Sequence, residues 1–338
     1  MSKHPPERRA DLVIALFGPT GVGKTAIACH VAQELGTRVV SCDSMQLYRG
    51  FPVLTNQPQA RETLGVVQEL VDVADPDVEW SAVEYARRAR PLLEEDLSRT
   101  GFAVIAGGTG LYLRAALAPL SAPAPGDPAL RRRLEERAAR EGAATLHRRL
   151  ASLDPEAAGA IHPSNTRRLV RALEVLMSSP ERRWSGRCDL WAPDYYHHTL
   201  LVGLTMDRES LYRRVDHRAR MMFEGGAVEE VKAHRARVAA SAPMSGESES
   251  RERRGVERAI GYREIDDFLD GGISADEAVA RLAAATRKYV RRQDTWMRKL
   301  QGAVIIDTSR RTAEESAALI LAEARRARVL STAHRKDI

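Results

Sequence analysis

Leu12-Val13-Ile14-Ala15-Leu16-Phe17, followed by Gly18-Pro19-Thr20-Gly21-Val22-Gly23-Lys24-Thr25, is the stretch that decides the fold. The first six residues make an apolar run with the length of a buried strand, and the next eight fit the G-x-x-x-x-G-K-[ST] phosphate loop. Ala26 to Leu35 then has helical spacing and ends at Gly36, where a left-handed cap is expected. A strand, a glycine turn and a helix start aim several backbone N–H groups at one point, where the helix dipole also favours negative charge. Lys24 adds a point charge for phosphate oxygens, and the Thr25 hydroxyl can ligate Mg²⁺. Gly18, Pro19, Thr20, Gly21, Val22, Gly23, Lys24 and Thr25 are therefore the candidate diphosphate- or nucleotide-binding residues, with Mg²⁺ the expected cofactor. The loop alone does not say which phosphate ester binds or what is done with it.

The rest of the chain is consistent with a large α/β protein. Its 338 residues are enough for one large domain with an insertion, or for two domains. Charged residues make up 29% and apolar ones 43%, an ordinary globular balance, and no apolar run is long enough to cross a bilayer. Residues 1–10 are basic and polar without an apolar stretch, so they read as a disordered tail, not a secretory signal. Cys29, Cys42 and Cys188 are too few and too scattered for a disulfide framework or a zinc site, which points to a reducing, cytoplasmic setting. The net charge of +6 is modest but uneven. Arg281, Arg287, Lys288, Arg291, Arg292, Arg298 and Lys299 face only Asp294 between Arg281 and Leu300, and residues 121–190 hold thirteen arginines against nine acidic residues. Two basic regions in a chain with a phosphate loop imply a polyanionic partner beside a small phosphate ligand.

Leu12–Phe17, Arg38–Cys42 and Phe102–Ala106 read as buried parallel strands, with helices at Ala26–Leu35 and Ser81–Ser98 between them. This alternation predicts a P-loop-type open parallel sheet flanked by helices, whose ligands sit beyond the carboxyl ends of the strands. Pro119, Pro123, Pro125 and Pro128 form a proline-rich linker into a helix-only stretch with Leu130–Glu141, Ala143–Leu153 and Arg167–Met177, so residues 121–185 are expected to form a helical insertion domain. Residues 11–120 and 186–325 would make the discontinuous core. Leu200–Leu204 reads as a returning strand, Leu211–Ala233 as one long amphipathic helix, 239–256 as a mobile polar loop, Ala278–Leu300 as a helix and Ala303–Asp307 as a last strand.

A phosphate loop most often serves phosphoryl transfer, which needs a second acidic residue at the end of an apolar strand to hold the metal. Phe102–Ala106 ends in Gly107-Gly108, and Leu70-Val71-Asp72-Val73-Ala74-Asp75 is short and broken by Asp72, so that reading is weakened. Asp43 is more informative because it stands at the carboxyl end of the strand beside the loop, in Asp43-Ser44-Met45-Gln46-Leu47-Tyr48. A carboxylate there can take a proton from a nucleophile attacking a group whose diphosphate rests in the loop. Spacing alone leaves a Mg²⁺ ligand or a helix N-cap equally open. Gln46 carries a donor and an acceptor that suit an adenine edge.

These strings, taken in order, resemble the tRNA dimethylallyltransferase family, also called tRNA isopentenyltransferases. The resemblance lies in Gly-Pro-Thr-x-x-Gly-Lys-Thr, Asp43-Ser44-Met45-Gln46-x-Tyr48, Gly107-Gly108-Thr109-Gly110-Leu111-Tyr112 and Ile161-His162-Pro163. It continues through Arg168-Leu169-x-Arg171-Ala172-Leu173-Glu174-Val175, Asp207-Arg208-Glu209-x-Leu211-Tyr212, Ala259-Ile260-Gly261-Tyr262 and Thr286-Arg287-x-Tyr289-x-x-Arg292-Gln293-x-Thr295-Trp296, spanning roughly residues 12 to 300. It implies transfer of a dimethylallyl group from dimethylallyl diphosphate to the N6 amine of the adenosine next to the anticodon of a tRNA. It further implies Asp43 as proton acceptor, Arg218 on the diphosphate, and Thr109 near the adenosine or the phosphate, with Asp43, Thr109 and Arg218 the catalytic set. The target base would be flipped out of a single-stranded loop. Residues implied on the tRNA anticodon stem-loop are Asp43, Ser44, Met45, Gln46, Thr109, Arg131, Arg167, Arg168, Arg171, Arg263, Arg291, Arg292, Gln293 and Trp296. A monomer acting away from membranes completes the expectation. Adenylate dimethylallyltransferases share the chemistry on free adenine nucleotide but are expected to lack the late basic helix and its Arg-Gln-x-Thr-Trp element.

The chain departs from the family pattern at several positions. A Gly-Thr-x-Lys-Pro string is here Leu54-Thr55-Asn56-Gln57-Pro58, so a phosphate contact from the lysine position has no support. A histidine pair is replaced by Gln68-Glu69, and Asn-Asp after Ile-His-Pro by Ser164-Asn165. None of these touches Asp43, the phosphate loop or Thr109.

Overall fold

Every residue of Leu12–Phe17 is buried, at 1% exposure or less, and this strand (β1) lies in the interior of a six-stranded sheet. In the computed structural model, residues 11–119, 127–178, 194–241 and 253–334 are described, so the expected tail and Cys188 lie outside the described residues. In chain order β1 is followed by α1 (Lys24–Leu35), β2 (Val39–Cys42), α2 (Ala60–Thr63), β3 (Gln68–Glu69), α3 (Ala82–Thr100), β4 (Phe102–Gly107) and α4 (Gly110–Leu117). Next come α5 (Pro128–Glu141), α6 (Ala143–Leu153), α7 (Pro155–Ala160) and α8 (Thr166–Ser178). The chain then returns through β5 (Thr199–Thr205), α9 (Arg208–Met222), α10 (Val228–Ser241), α11 (Tyr262–Leu269), α12 (Ala275–Met297), β6 (Val304–Asp307) and α13 (Ala313–His334).

All six strands pair in parallel, in the order β3-β2-β4-β1-β5-β6. A parallel sheet is covered on both faces, and β1 shows it residue by residue. Val13, Ala15 and Phe17 join the core with α3 and α4, whereas Leu12, Ile14 and Leu16 join the opposite core with α1 and α13. All carboxyl ends lie at one edge, so the phosphate loop after β1, Asp43 after β2 and Gly107 to Thr109 after β4 converge there. Residues 119–192 form a second compact unit, in which α5 to α8 pack around Leu146, Leu150, Leu169 and Leu173.

Two expectations need correcting. The single helix expected over Leu211–Ala233 is two, α9 and α10, separated by a π-helical turn at Phe223–Ala227 in which Gly226 has φ 121. The adjacent Gly225-Gly226 pair permits this break, since helices interrupt where glycine accepts a left-handed backbone. The mobile loop expected over 239–256 is ordered at both ends: α10 runs to Ser241, and Gly255–Arg258 forms a 3₁₀ turn whose Val256 N–H donates to Pro76 O at 2.9 Å. The two-residue β3, which pairs with Val39 and Val40, and helices α7, α11 and α13 were not expected from the pattern.

The β2–β4 approach is tight where Cys42 faces Gly107. A Cβ on Gly107 would stand 2.1 Å from the Cys42 carbonyl oxygen, a backbone atom with no room to retreat. Gly107→Ala is expected to destabilise by at least about 2 kcal/mol in a chemical-denaturation midpoint. Gly159→Ala in α7, where a Cβ meets nothing within 4 Å, should be neutral or stabilising by up to about 1 kcal/mol.

Candidate active site

The phosphate loop ends at Gly23, the N-cap of α1, in the left-handed conformation (φ 96), with Gly21 likewise at φ 91. No side chain caps α1 and its first turn carries no acidic residue, so the positive end of the helix is not offset locally. Lys24 folds back so that Nζ donates to Pro19 O at 2.9 Å. Its ammonium is lowered to about 8, mainly because burial penalises the charge; Asp43 opposes that shift and Arg218 adds to it. Arg218, half-buried on α9, is lowered to about 10, first by burial, with Asp43 and then Glu62 opposing. No carboxylate lies within salt-bridge distance of Arg218 among the described residues. Two desolvated cations and one carboxylate thus share a field above a cradle of backbone amides.

Asp43 follows β2 in a turn, and its Oδ1 accepts from Met45 N at 3.0 Å. No helix starts there, so the N-cap reading is replaced by an Asx-type turn that aims the carboxylate. Thr109, the N-cap of α4, does not cap with its side chain. Its Oγ1 accepts from Ser44 N at 3.1 Å and lies 3.3 Å from Ser44 Oγ, while its own N–H donates to Cys42 O at 3.1 Å. Thr109 and Ser44 therefore lock the β4 end to the Asp43 turn. Gln46 Nε2 donates to Asn56 O at 2.7 Å and its Oε1 accepts from Ser41 Oγ at 3.0 Å, which leaves one N–H and one lone pair for a base edge. Met45 packs against the core beside them. In the Leu70–Asp75 string, Asp72 accepts from Gly50 N at 3.2 Å and the terminal Asp75 accepts from Asp77 N at 2.9 Å, so both carboxylates close turns.

The late basic helix divides its residues between two tasks. Gln293, expected on the RNA, is 2% exposed: Oε1 accepts from Thr20 N at 2.9 Å and Nε2 donates to Gly108 O at 2.9 Å. It is a strut between the phosphate loop and β4, and its amide is engaged at both ends. Trp296, implied on the tRNA by the resemblance, is half-buried and packs on Gly110, where a Cβ would fall 2.3 Å from the indole. Tyr289, which sequence reasoning passed over, donates to Gly108 O at 3.2 Å. Arg291 and Arg292 remain exposed, the first 3.5 Å from the Tyr212 hydroxyl and the second 5.3 Å from the Tyr289 ring centroid. Beyond them a cavity of about 530 Å³ opens between Pro19, Met206, Tyr212 and Asp294, rimmed by Arg208 and Arg298.

Arg263 is exposed on α11, 3.9 Å from Asp267. In the second unit Arg167 and Arg168 are exposed, but Arg131 and Arg171 both pair with Oε2 of the fully buried Glu174, at 3.1 and 2.7 Å. A buried carboxylate needs counter-charge, and these two arginines, implied on the tRNA by the resemblance, supply it here.

Thr25 stands half-buried in the first turn of α1, one residue beyond Lys24. A hydroxyl beside a diphosphate cradle, with a carboxylate in the same field, is a hard oxygen donor set of the kind that suits Mg²⁺ held mainly through phosphate. Among the described residues no cluster of three or more His, Cys, Asp or Glu could hold a metal without such a ligand.

Residues 46–300 match the family model described as IPP transferase, and residues 12–76 match that of isopentenyl transferase. The chain belongs to the IPP transferase family. It is 42% identical over 293 residues to the tRNA dimethylallyltransferase of Thermomicrobium roseum, covering 86% of this chain and 84% of that one. It is 38% identical over 287 residues to that of Bacillus velezensis, covering 85% and 87%. Among solved structures it is similar to the tRNA isopentenylpyrophosphate transferase of Bacillus halodurans, with a TM-score of 0.68, 31% identity, and 96% and 99% of the two chains covered. A eukaryotic dimethylallyltransferase acting on tRNA shares the fold, with a TM-score of 0.70 at 23% identity over 89% of this chain and 75% of that one.

Because Lys24 in the free protein titrates near 8, and a bound anion favours its charged form, anion affinity is full below that pH and declines above it. Calorimetry with an alkyl diphosphate, whose own ionisation is complete in this range, should show Kd weakening by up to about tenfold per pH unit above 8, with proton uptake on binding. Lys24→Met should bind weakly and lose this dependence above pH 8. A flat profile in the parent protein would contradict the placement of Lys24.

Proposed function

We propose that this chain transfers a dimethylallyl group from dimethylallyl diphosphate to the N6 amine of the adenosine 3′-adjacent to the anticodon of tRNAs, with diphosphate as the leaving group. The observation that carries this reading is the convergence of the phosphate loop, Asp43 and Thr109 at one edge of the sheet, with Lys24 and Arg218 in the field of Asp43, since transfer needs a stabilised leaving anion and a proton acceptor side by side. The names of the curated relatives and of the Bacillus halodurans structure support the same chemistry.

In this reading the loop amides, Lys24 and Arg218 hold the diphosphate, and Thr25 holds Mg²⁺, which when bound neutralises charge developing on the leaving oxygens. The N6 nitrogen forms a bond to the allylic carbon as the carbon–oxygen bond to diphosphate breaks. The proton that the nitrogen loses passes to the Asp43 carboxylate. An aryl amine is a weak nucleophile, so alignment of amine and carbon carries much of the acceleration. Ser44 and Thr109 fix the turn that aims Asp43, and Gln46 retains one donor and one acceptor for the adenine edge. The exposed Arg167, Arg168, Arg263, Arg291 and Arg292 supply charge for the anticodon stem-loop, whose target base leaves its stack to reach the strand ends. Two buried free thiols, Cys29 and Cys42, agree with a cytoplasmic setting, and the protein is read as acting as a monomer. No described helix is long and apolar enough to cross a membrane.

Asp43→Asn should lower single-turnover transfer by about a hundredfold or more while a filter-binding Kd for tRNA stays within about threefold. A variant that transfers at the parent rate would remove Asp43 from the chemistry. Raising salt from 50 to 200 mM should weaken tRNA binding by orders of magnitude more than binding of dimethylallyl diphosphate, because many backbone phosphates are neutralised at once. Equal salt slopes for the two ligands would contradict an RNA surface built from these arginines.

A further inference from the structure

The carboxylate of Glu230 on α10 is shared between two consecutive backbone amides far away in sequence. Its Oε1 accepts from Val53 N and its Oε2 from Leu54 N, both at 2.8 Å. Leu54 is 3% exposed and Glu230 itself is half-buried, so the pair of bonds is substantially withdrawn from water. Charge-assisted bonds of this kind are about twice as strong as neutral ones, and two on adjacent donors also fix orientation.

The clamped segment is a compact turn over residues 51–57. Thr55 N and Thr55 Oγ1 both donate to Phe51 O, at 3.1 and 2.7 Å, and Gln57 N donates to Pro52 O at 2.9 Å. Its far end grips the Asp43 turn. Asn56 O accepts from Gln46 Nε2 at 2.7 Å, and the buried Gln57 amide donates to Gln46 O at 3.1 Å and Tyr48 O at 2.8 Å. This answers what Gln57 does where the resembling family has lysine: its two N–H groups tie the turn to the backbone after Asp43. One turn along α10, His234 lies 5.4 Å ring to ring from Phe51 and so braces the same segment.

Glu230 is also placed relative to Arg218. Arg218 is on α9, Glu230 is on α10, and the π-helical turn with Gly225 and Gly226 lies between them. Gly226 would set a Cβ 3.7 Å from the Val53 side chain, so the break sits against the turn that Glu230 clamps. Single π turns inside helical runs are often found at functional sites. Here the break lets one helical run present a diphosphate-facing arginine on one side and a clamp for the Asp43 turn on the other.

We propose that Glu230 is a positioning residue for the transfer: by holding residues 53 and 54 it sets, through Gln46 and Gln57, where the Asp43 carboxylate stands relative to Arg218 and the phosphate loop. This rests on the reading of Asp43 as the proton acceptor. Glu230 reaches no substrate itself, and it lies outside the phosphate loop and the exposed arginines.

The test is Glu230→Gln in the full chain, assayed with an anticodon stem-loop, dimethylallyl diphosphate and Mg²⁺. An amide of the same shape has one accepting oxygen and turns an NH₂ donor toward the second backbone N–H, so one of the two bonds is lost. The expected result is a fall in kcat of about tenfold to a hundredfold, the range that a displacement of about 1 Å brings, with KM for dimethylallyl diphosphate changed less than about threefold. Gln57→Met removes the other end of the linkage without touching Glu230 and should give the same split. The double variant should be no slower than the worse single by more than about threefold, because both act on one turn. A kcat per folded molecule within twofold of the parent in both single variants would overturn the proposal. So would a loss accounted for by a lower melting temperature alone. Should Glu230→Gln fail to fold, Gln57→Met decides by the same split. Asp43→Asn, run alongside, separates the two ideas: if it transfers normally the proton-acceptor reading falls, and if it is inactive while Glu230→Gln and Gln57→Met are both normal only the clamp falls.

Discussion

A single buried amide holds the active edge of the sheet together. Gln293 accepts from the Thr20 amide of the phosphate loop and donates to the Gly108 carbonyl at the end of β4. At 2% exposure both bonds lie out of water, and removing either partner would strand a buried polar group. Through this one side chain α12 is fixed over the loop and β4, with Tyr289 and Trp296 completing the contact at Gly108 and Gly110. The position of the diphosphate cradle relative to Thr109 and Asp43 follows from it.

Around this strut the site is a problem in managing charge. Lys24 and Arg218 are both held below their ordinary ionisation ranges by burial, and Asp43 partly restores both. Such an arrangement is poorly stabilised when empty and well matched when an anion arrives, which is what binding a leaving group in advance of its departure requires. Burial likewise favours the neutral forms of the neighbouring Cys42 and Tyr289, whose ionisation it raises. Asp43 is therefore the acidic side chain that couples to both cations.

Much of this was legible in the sequence, for identifiable reasons. Leu12–Phe17, Phe102–Gly107 and Thr199–Thr205 announce themselves because strands buried on both faces are unbroken apolar runs, and Gly36 ends α1 in the left-handed conformation that its position implies. The two-residue β3 is too short to leave a pattern, and the Ala-rich α13 has little apolar periodicity to detect. Gly225-Gly226 was the readable sign of the α9–α10 break, masked by helical spacing on either side. At the site, residue types and strand-end placement were legible, but helix facing was not. Gln293 looks like an RNA contact beside Arg291 and Arg292, yet the roughly 100° of rotation per residue turns it inward, and Trp296 packs half-buried on Gly110. Glu230 gives no local signal at all, since its partners are 176 and 177 residues away.

The central claim is that one cavity takes both a prenyl diphosphate and an unpaired adenosine of an RNA. Incubating the protein with labelled dimethylallyl diphosphate, Mg²⁺ and either an anticodon stem-loop or AMP tests it most directly. The account predicts label on the stem-loop adenosine with stoichiometric release of diphosphate and none on AMP. Label on AMP instead, or on neither acceptor while ATP is steadily hydrolysed, would contradict it.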